Sequence, residues 1–136
     1  MENSLLTAVA EIGKDHYATR LTNTRGHSLL ADEPPDAGGT DQGPRPGDFL
    51  RMALASCTAI TLRMYADRKN WPVENIRVQV ANAPFDGHKT VFNIRIEVKG
   101  AISEEQKNRL LQIAKLCPVH KMLTNPIEME AGLYLL

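Results

Sequence analysis

Arg45 to Lys69, RPGDFLRMALASCTAITLRMYADRK, is the stretch on which the reading of the whole chain turns. Pro46 and Gly47 break whatever precedes them. Asp48 then places a carboxylate where the free N–H groups and positive dipole end of a helix favour one, so a helix is expected to start at Asp48. From Met52 to Leu62 no side chain carries a charge, and a helix apolar on every side is expected to be buried on every side. Asn70-Trp71-Pro72 ends it, because proline disfavours helical geometry in the residue before it. In the middle of this helix sits Cys57, one of two cysteines in the chain.

The frame around that helix is a chain of 136 residues with 43% hydrophobic content, an ordinary length for one domain spanning residues 1–136 and ample for a packed core. A chain of this size buries only about two-thirds of the surface its unfolded form exposes, so one copy has difficulty covering a long helix all round. A homodimer is the expected solution. Sixteen basic and sixteen acidic residues leave no net field to attract DNA, RNA or an anionic membrane, so neither nucleic acid nor membrane is an expected partner. The start, MENSLLTAVAEIGK, lacks a basic region followed by a long apolar run, and no apolar run reaches membrane-spanning length. A cytoplasmic location is expected, and there two cysteines are expected to be chemically active thiols rather than a permanent staple.

Outward from the helix, the sequence alternates between short strands and turns. Leu5–Ile12 and His16–Leu21 flank a turn at Gly13-Lys14-Asp15, and after Asn23–Gly26 a third strand, His27–Ala31, completes a small antiparallel sheet. Asp32–Pro46, DEPPDAGGTDQGPRP, is too rich in proline and glycine for helix or strand. It is expected to be a solvated loop, its carboxylates Asp32, Glu33, Asp36 and Asp41 offering a cation no calcium-loop spacing. Beyond the helix, Ile76–Val80 and Val91–Val98 alternate as half-buried strands. Ser103 followed by Gln106 is a capping-box start for a helix running to Leu116, and Ile127–Leu135 is expected to be a final strand. The class is α+β.

Between that last helix and strand lies Cys117-Pro118-Val119-His120. Pro118 suits the first position of a new helix, which makes Cys117 its N-cap and points the sulfur at free N–H groups, with His120 and Lys121 nearby. Cys57 lies among apolar neighbours, which raise a thiol pKa, so a nucleophilic role requires a cation. Arg51 and Arg63 lie six positions either side of Cys57 and, at about 100° per residue, point largely away from it. Arg20 and Arg25 of the first sheet are the better candidates. Asp48, nine residues before Cys57, lies on the opposite face of the same helix, so only in a dimer would it approach a partner's site. For both cysteines, the role of small buried hydrophobe is the alternative. His16, His27 and His88 fall at strand edges and turns and receive no role, and Tyr65 and Trp71 are read as packing residues.

From His27 onward the chain resembles the OsmC/Ohr superfamily of osmotically induced and organic-hydroperoxide-resistance proteins. The resemblance is carried by HSLLADEPPDAGGTDQGPRPGDFLRMALASCTAITLRMYADR, by WPVENIRVQV and by LCPVHKMLTNPIE. Its most specific pieces are the acidic, Gly-rich loop, Ser56-Cys57-Thr58 and the Cys117-Pro118-Val119-His120 turn. The family implies antiparallel sheets wrapped around a buried central cysteine-bearing helix, in an intertwined homodimer with sites at the interface. It also implies a thiol peroxidase. The cysteine matching Cys57 attacks an organic hydroperoxide and becomes a sulfenic acid, and the one matching Cys117 resolves it as a disulfide. An external dithiol, in some members a lipoylated protein, then reduces the disulfide.

Two features depart from the better-characterised peroxidases. There a glutamate ten residues before the first cysteine pairs with an arginine of the early strands; here that position is Gly47, with Asp48 one residue later. The DEPPDAGG loop is also more like the less-studied branch. The alternatives are therefore a redox-sensing or small-molecule-binding protein in which the cysteines toggle without efficient turnover, and a structural metal site built on Cys57, Cys117 and His120, for which the sequence offers no fourth ligand. No cofactor is implied.

Overall fold

The computed structural model describes residues 5–136, so the first four residues of the start read above lie outside it. Two compact units divide the chain at Leu50 and Arg51, and each has its own antiparallel sheet.

The first unit is a three-stranded meander, β1 (Ala8–Glu11), β2 (Thr19–Asn23) and β3 (Ser28–Ala31), with β2 central. Its register pairs Ala8 with Asn23 and Thr19 with Ala31. The β2–β3 turn is built by Asn23, whose Oδ1 accepts from the Arg25 and His27 N–H groups at 3.1 and 2.9 Å, while Gly26 takes φ +89°. The second strand begins at Thr19 rather than His16 because the Tyr17 N–H is drawn out of the ladder to Asp32 Oδ1.

The loop over 32–46 is largely exposed, as expected, but Asp32 itself is not. Its carboxylate is buried and gathers the loop around itself. Oδ1 accepts from the Tyr17, Glu33 and Thr40 N–H groups, and Oδ2 accepts from the Thr40 hydroxyl at 2.6 Å and the Gln42 N–H at 3.0 Å. A short 3-10 turn, Pro35–Ala37, and two close glycines complete it. A Cβ on Gly39 would lie 2.0 Å from the Glu33 carbonyl oxygen, so only glycine fits this approach. The Thr40 hydroxyl and the Gln42, Glu33 and Tyr17 N–H groups hold the Asp32 carboxyl well below the ordinary carboxylate range, against the opposing effect of burial.

A carboxyl depressed on folding contributes stability at pH values above its unfolded pKa, and that contribution drains away as pH falls below about 4. Replacing the acceptor with Asp32→Asn presents an NH₂ to donors and is expected to lower the melting temperature by roughly 5 °C or more at neutral pH. The deficit should shrink in acid. Thermal unfolding followed by circular dichroism at neutral pH and near pH 3 checks both parts.

The long helix α1 spans Pro46–Lys69, starting two residues earlier than Asp48. Pro46 takes the first helical position, where its missing N–H costs nothing, and Asp48 acts from the third by reaching back to accept from the Arg45 N–H at 3.0 Å. At the other end Asn70, at φ +55°, closes a Schellman motif: the Trp71 N–H bonds to the Ala66 carbonyl and the Asn70 N–H to that of Asp67. The helix therefore ends on a left-handed asparagine, with Pro72 two residues further on.

Burial of α1 is one-sided in the single chain, as the difficulty of covering a long apolar helix with one copy leads one to expect. Leu54, Thr58, Leu62 and Ala66 form one buried line at four-residue spacing. Met52, Ile60 and Met64 remain 44%, 53% and 61% exposed, so a single copy covers one face of the helix and not its circumference.

In the second unit β4 (Val73–Ala81) pairs with β5 (Asn93–Gly100) in register Val78 to Ile96. Helix α2 (Glu104–Ala114) opens on the expected capping box, with Ser103 Oγ accepting from the Gln106 N–H and Gln106 Oε1 accepting from the Ser103 N–H. Leu62 of α1 packs with Leu110, Ile113 and Ala114 of α2, joined by Ile76, Ile96 and Val98 of the sheet. Full burial of a side chain the size of Leu62 is worth about 2–3 kcal/mol. Tyr65 meets Trp71 edge-on with ring centroids 5.5 Å apart and accepts from Arg109 Nε at 3.0 Å, consistent with packing roles for both aromatics.

The final strand expected over 127–135 is absent from the structure. Residues 126–136 form neither helix nor strand, and Met129 and Leu135 are 90% and 92% exposed. An alternating segment becomes a strand only against an edge that accepts its hydrogen bonds, and among the described residues this one pairs with none.

Candidate active site

Cys57 lies half-buried on α1 and Cys117 fully buried just ahead of α3 (Pro118–Thr124), both as free thiols. The junction forms as its residues dictate. Pro118 cannot continue α2 but opens α3, Cys117 becomes the N-cap, and the His120 N–H donates to Cys117 Sγ at 3.4 Å. The neighbouring Val119 N–H faces the sulfur of Cys57 and favours its ionised form. The Cys57 and Cys117 thiols lie close enough to influence each other, and the Thr61 hydroxyl, one turn further along α1, lies beside Cys57.

These contacts compete. Burial pushes the Cys57 thiol up from its ordinary value, and the neighbouring Cys117 thiol adds to this; the Val119 N–H and the Thr61 hydroxyl act in the opposite sense. Upward wins. Cys57 holds its proton until a further positive group offsets burial, which is what its apolar sequence context implied.

The other candidate residues sit elsewhere. Arg20 is on β2, its Nη2 donating to Glu11 Oε1 at 3.1 Å with most of the side chain exposed, and Arg25 is in the β2–β3 turn. Asp48 caps α1. All three belong to the first unit and both cysteines to the second. Arg51 and Arg63 are engaged as their helical phase suggests, with Arg51 Nη1 donating to Asn82 and Arg63 Nη1 to Asp67 and the Val73 carbonyl. His27 bonds to Asn23, His88 donates through its N–H to Asp86, and His16 stacks on Tyr17.

Among the described residues no group of three His, Cys, Asp or Glu side chains is arranged to hold a metal ion. No described helix is long and apolar enough to cross a membrane. A groove of about 310 Å³ runs between β5 and α2, lined by Ile96, Val98, Ile102, Leu110 and Leu111; the thiol pair lies outside that lining.

Sequence reasoning missed Thr61 and Val119. Thr61 was legible in principle, since four residues is the spacing that brings helical side chains together. Val119 acts through its backbone, and nothing in a side chain announces that.

An α+β chain that brings two free thiols next to each other, one on a long helix and one capping a short helix, is by construction a dithiol protein. Residues 39–131 match the model of the OsmC-like protein family, and the chain belongs to that family. Among solved structures it is similar to the OsmC-like protein of Mycoplasma pneumoniae, at 19% identity and a TM-score of 0.73 over 90% of this chain and 89% of that one. It is also similar to the organic hydroperoxide resistance protein OhrB of Bacillus subtilis, at 22% identity and 0.61 over 89% and 91%. A third is an organic hydroperoxide resistance protein of Elizabethkingia anophelis, at 16% identity and 0.66 over 93% of each chain. These likenesses establish the OsmC-like fold, with its mixed helices and antiparallel sheets. A comparison with curated proteins finds no match.

Proposed function

We propose that the protein is a thiol-dependent peroxidase that reduces organic hydroperoxides to alcohols through Cys57 and Cys117. The observation that carries this reading is the pair of free thiols brought next to each other, Cys57 on α1 and Cys117 at the head of α3. The Cys57 thiolate attacks the terminal oxygen of the hydroperoxide. The O–O bond breaks, the alkoxide leaves and takes a proton to become the alcohol, and Cys57 becomes a sulfenic acid. Cys117 then attacks that sulfur, forming the disulfide and releasing water. An external dithiol, in the family sometimes carried by a lipoylated protein, restores both thiols. Apolar side chains along α1 suit an organic hydroperoxide.

Activation of Cys57 needs a cation, and in this reading Arg20 or Arg25 supplies it. Asp48 takes the place of the family's glutamate, one residue removed. A homodimer gives the helix its missing cover: Leu50, Met52, Ile60 and Met64 on α1, and Val9 and Leu29 on the first sheet, are all exposed in the single chain.

A second reading is favoured by the raised Cys57 thiol: a redox sensor or small-molecule-binding protein whose cysteines toggle slowly and without efficient turnover. The experiment that separates the two oxidises the reduced protein with organic hydroperoxide and then adds a dithiol. Rapid disulfide formation followed by repeated cycles marks a peroxidase. Slow formation with no cycling marks the sensor.

A further inference from the structure

Cys117 serves two purposes in the reduced protein. It is one of the two free thiols, and it caps α3, its buried sulfur accepting from the His120 N–H at 3.4 Å. Helix α3 depends on that cap. It has seven residues, none of them buried, and an isolated helix of fewer than about 12 residues is marginal in water. Its far end is tied only locally, by the Thr124 hydroxyl to the His120 carbonyl and by the Asn125 side-chain NH₂ to that of Lys121.

The elements on either side are firmer. Cys57 sits between Leu54 and Thr58 on the 24-residue helix α1, both members of its buried line. Upstream of Cys117, α2 is fixed by buried Leu110, Ile113 and Ala114. A covalent bond draws two sulfurs closer than two free thiols approach, so at least one sulfur must move. The element able to give is α3. A sulfur is a weak acceptor at best, and one drawn toward Cys57 leaves the His120 N–H without its partner.

We propose that Cys117 is a redox-sensitive latch: as a thiol it caps α3, and as half of a Cys57–Cys117 disulfide it releases the His120 N–H and loosens the first turn of α3. The inference rests on the peroxidase reading for that disulfide. There the organic hydroperoxide is the oxidant: two thiols and one hydroperoxide become one disulfide, one alcohol and one water. A dithiol returns both hydrogens, is itself oxidised to a disulfide, and lets the cap form again.

The test is hydrogen–deuterium exchange of the peptide over 118–125 in the full chain, reduced and oxidised, with the disulfide verified by intact mass. The oxidants are an organic hydroperoxide and, separately, diamide. Oxidation is expected to speed exchange of that peptide roughly 5-fold or more, with residues 54–66 unchanged and the slow exchange restored by a dithiol. Under reducing conditions Cys117→Ala, which removes the cap without any disulfide, should exchange as fast as the oxidised parent. Cys117→Ser, which keeps an acceptor, should stay within about 2-fold of the reduced parent. An oxidised protein as protected over 118–125 as the reduced one overturns the proposal, as does an alanine variant that exchanges like the reduced parent. Faster exchange over 54–66 would reveal a misfolded alanine variant, and the parent's two redox states then decide alone. Loosening with diamide in a protein that ignores hydroperoxide keeps the latch and removes the peroxidase reading. A protein in which neither oxidant forms the link overturns the latch as well.

Discussion

Cys57→Ser is expected to abolish hydroperoxide consumption, a loss of roughly 10³-fold or more. An alcohol remains protonated at neutral pH and a hydroxyl is a poor nucleophile toward an O–O bond, whereas even a thiol with a raised pKa supplies some thiolate. The substitution is conservative in every other respect. Serine nearly matches cysteine in volume, and the position is half-buried. The fold should survive, so lost activity can be assigned to lost chemistry. Peroxide remaining is measured against time for the parent and the variant at equal protein concentration. A variant that consumes peroxide at the parental rate removes Cys57 from the reaction.

Cys117→Ser is expected to behave differently. Attack by Cys57 needs no help from the second sulfur, so the variant should consume about one equivalent of hydroperoxide and stop. With no thiol to form the disulfide, Cys57 remains a sulfenic acid, and excess peroxide carries it on to the sulfinic form. Intact mass should rise by one oxygen and then by a second. Serine is also a good N-cap, so the start of α3 should hold. The neighbouring Cys117 thiol pushes the Cys57 thiol up, so its replacement should leave the first step no slower than in the parent. Continued multiple turnover in this variant would show that Cys117 is not the resolving thiol.

Local chemistry made much of this structure legible. Cys117 was readable as an N-cap because Pro118 has one comfortable helical position, and the Ser103–Gln106 box was readable because two orphan N–H groups demand it. The strands of the second sheet followed from strict alternation at Ile76, Val78 and Val80. What escaped is what depends on tertiary partners. Asp32 reads as one more acidic loop residue, yet five donors converge on it, two of them from Thr40, eight residues away. The segment 127–135 has a strand's pattern but pairs with no edge among the described residues. Helix α1 carries apolar side chains all round, but one chain buries a single line of them. Both mismatches are of one kind: apolar surface patterned for contact that a single copy does not supply.

The site divided in the same way. Both thiols were identifiable from their places on the two helices, and their meeting followed once α3 formed. The arginine that would charge-balance Cys57 was not legible, because Arg20 and Arg25 lie on a separate unit, and Arg20 in the single chain is engaged with Glu11.

The most direct measurement is the intact mass of the fully reduced protein before and after one equivalent of an organic hydroperoxide, with a parallel sample given hydrogen peroxide and a later addition of a dithiol. The expected result is a rapid loss of two hydrogens, mapped by peptide analysis to a Cys57–Cys117 link, faster with the organic hydroperoxide and reversed by the dithiol. A mass that stays unchanged over many minutes would contradict the peroxidase account, because Cys57 would then not be an activated thiolate in this protein.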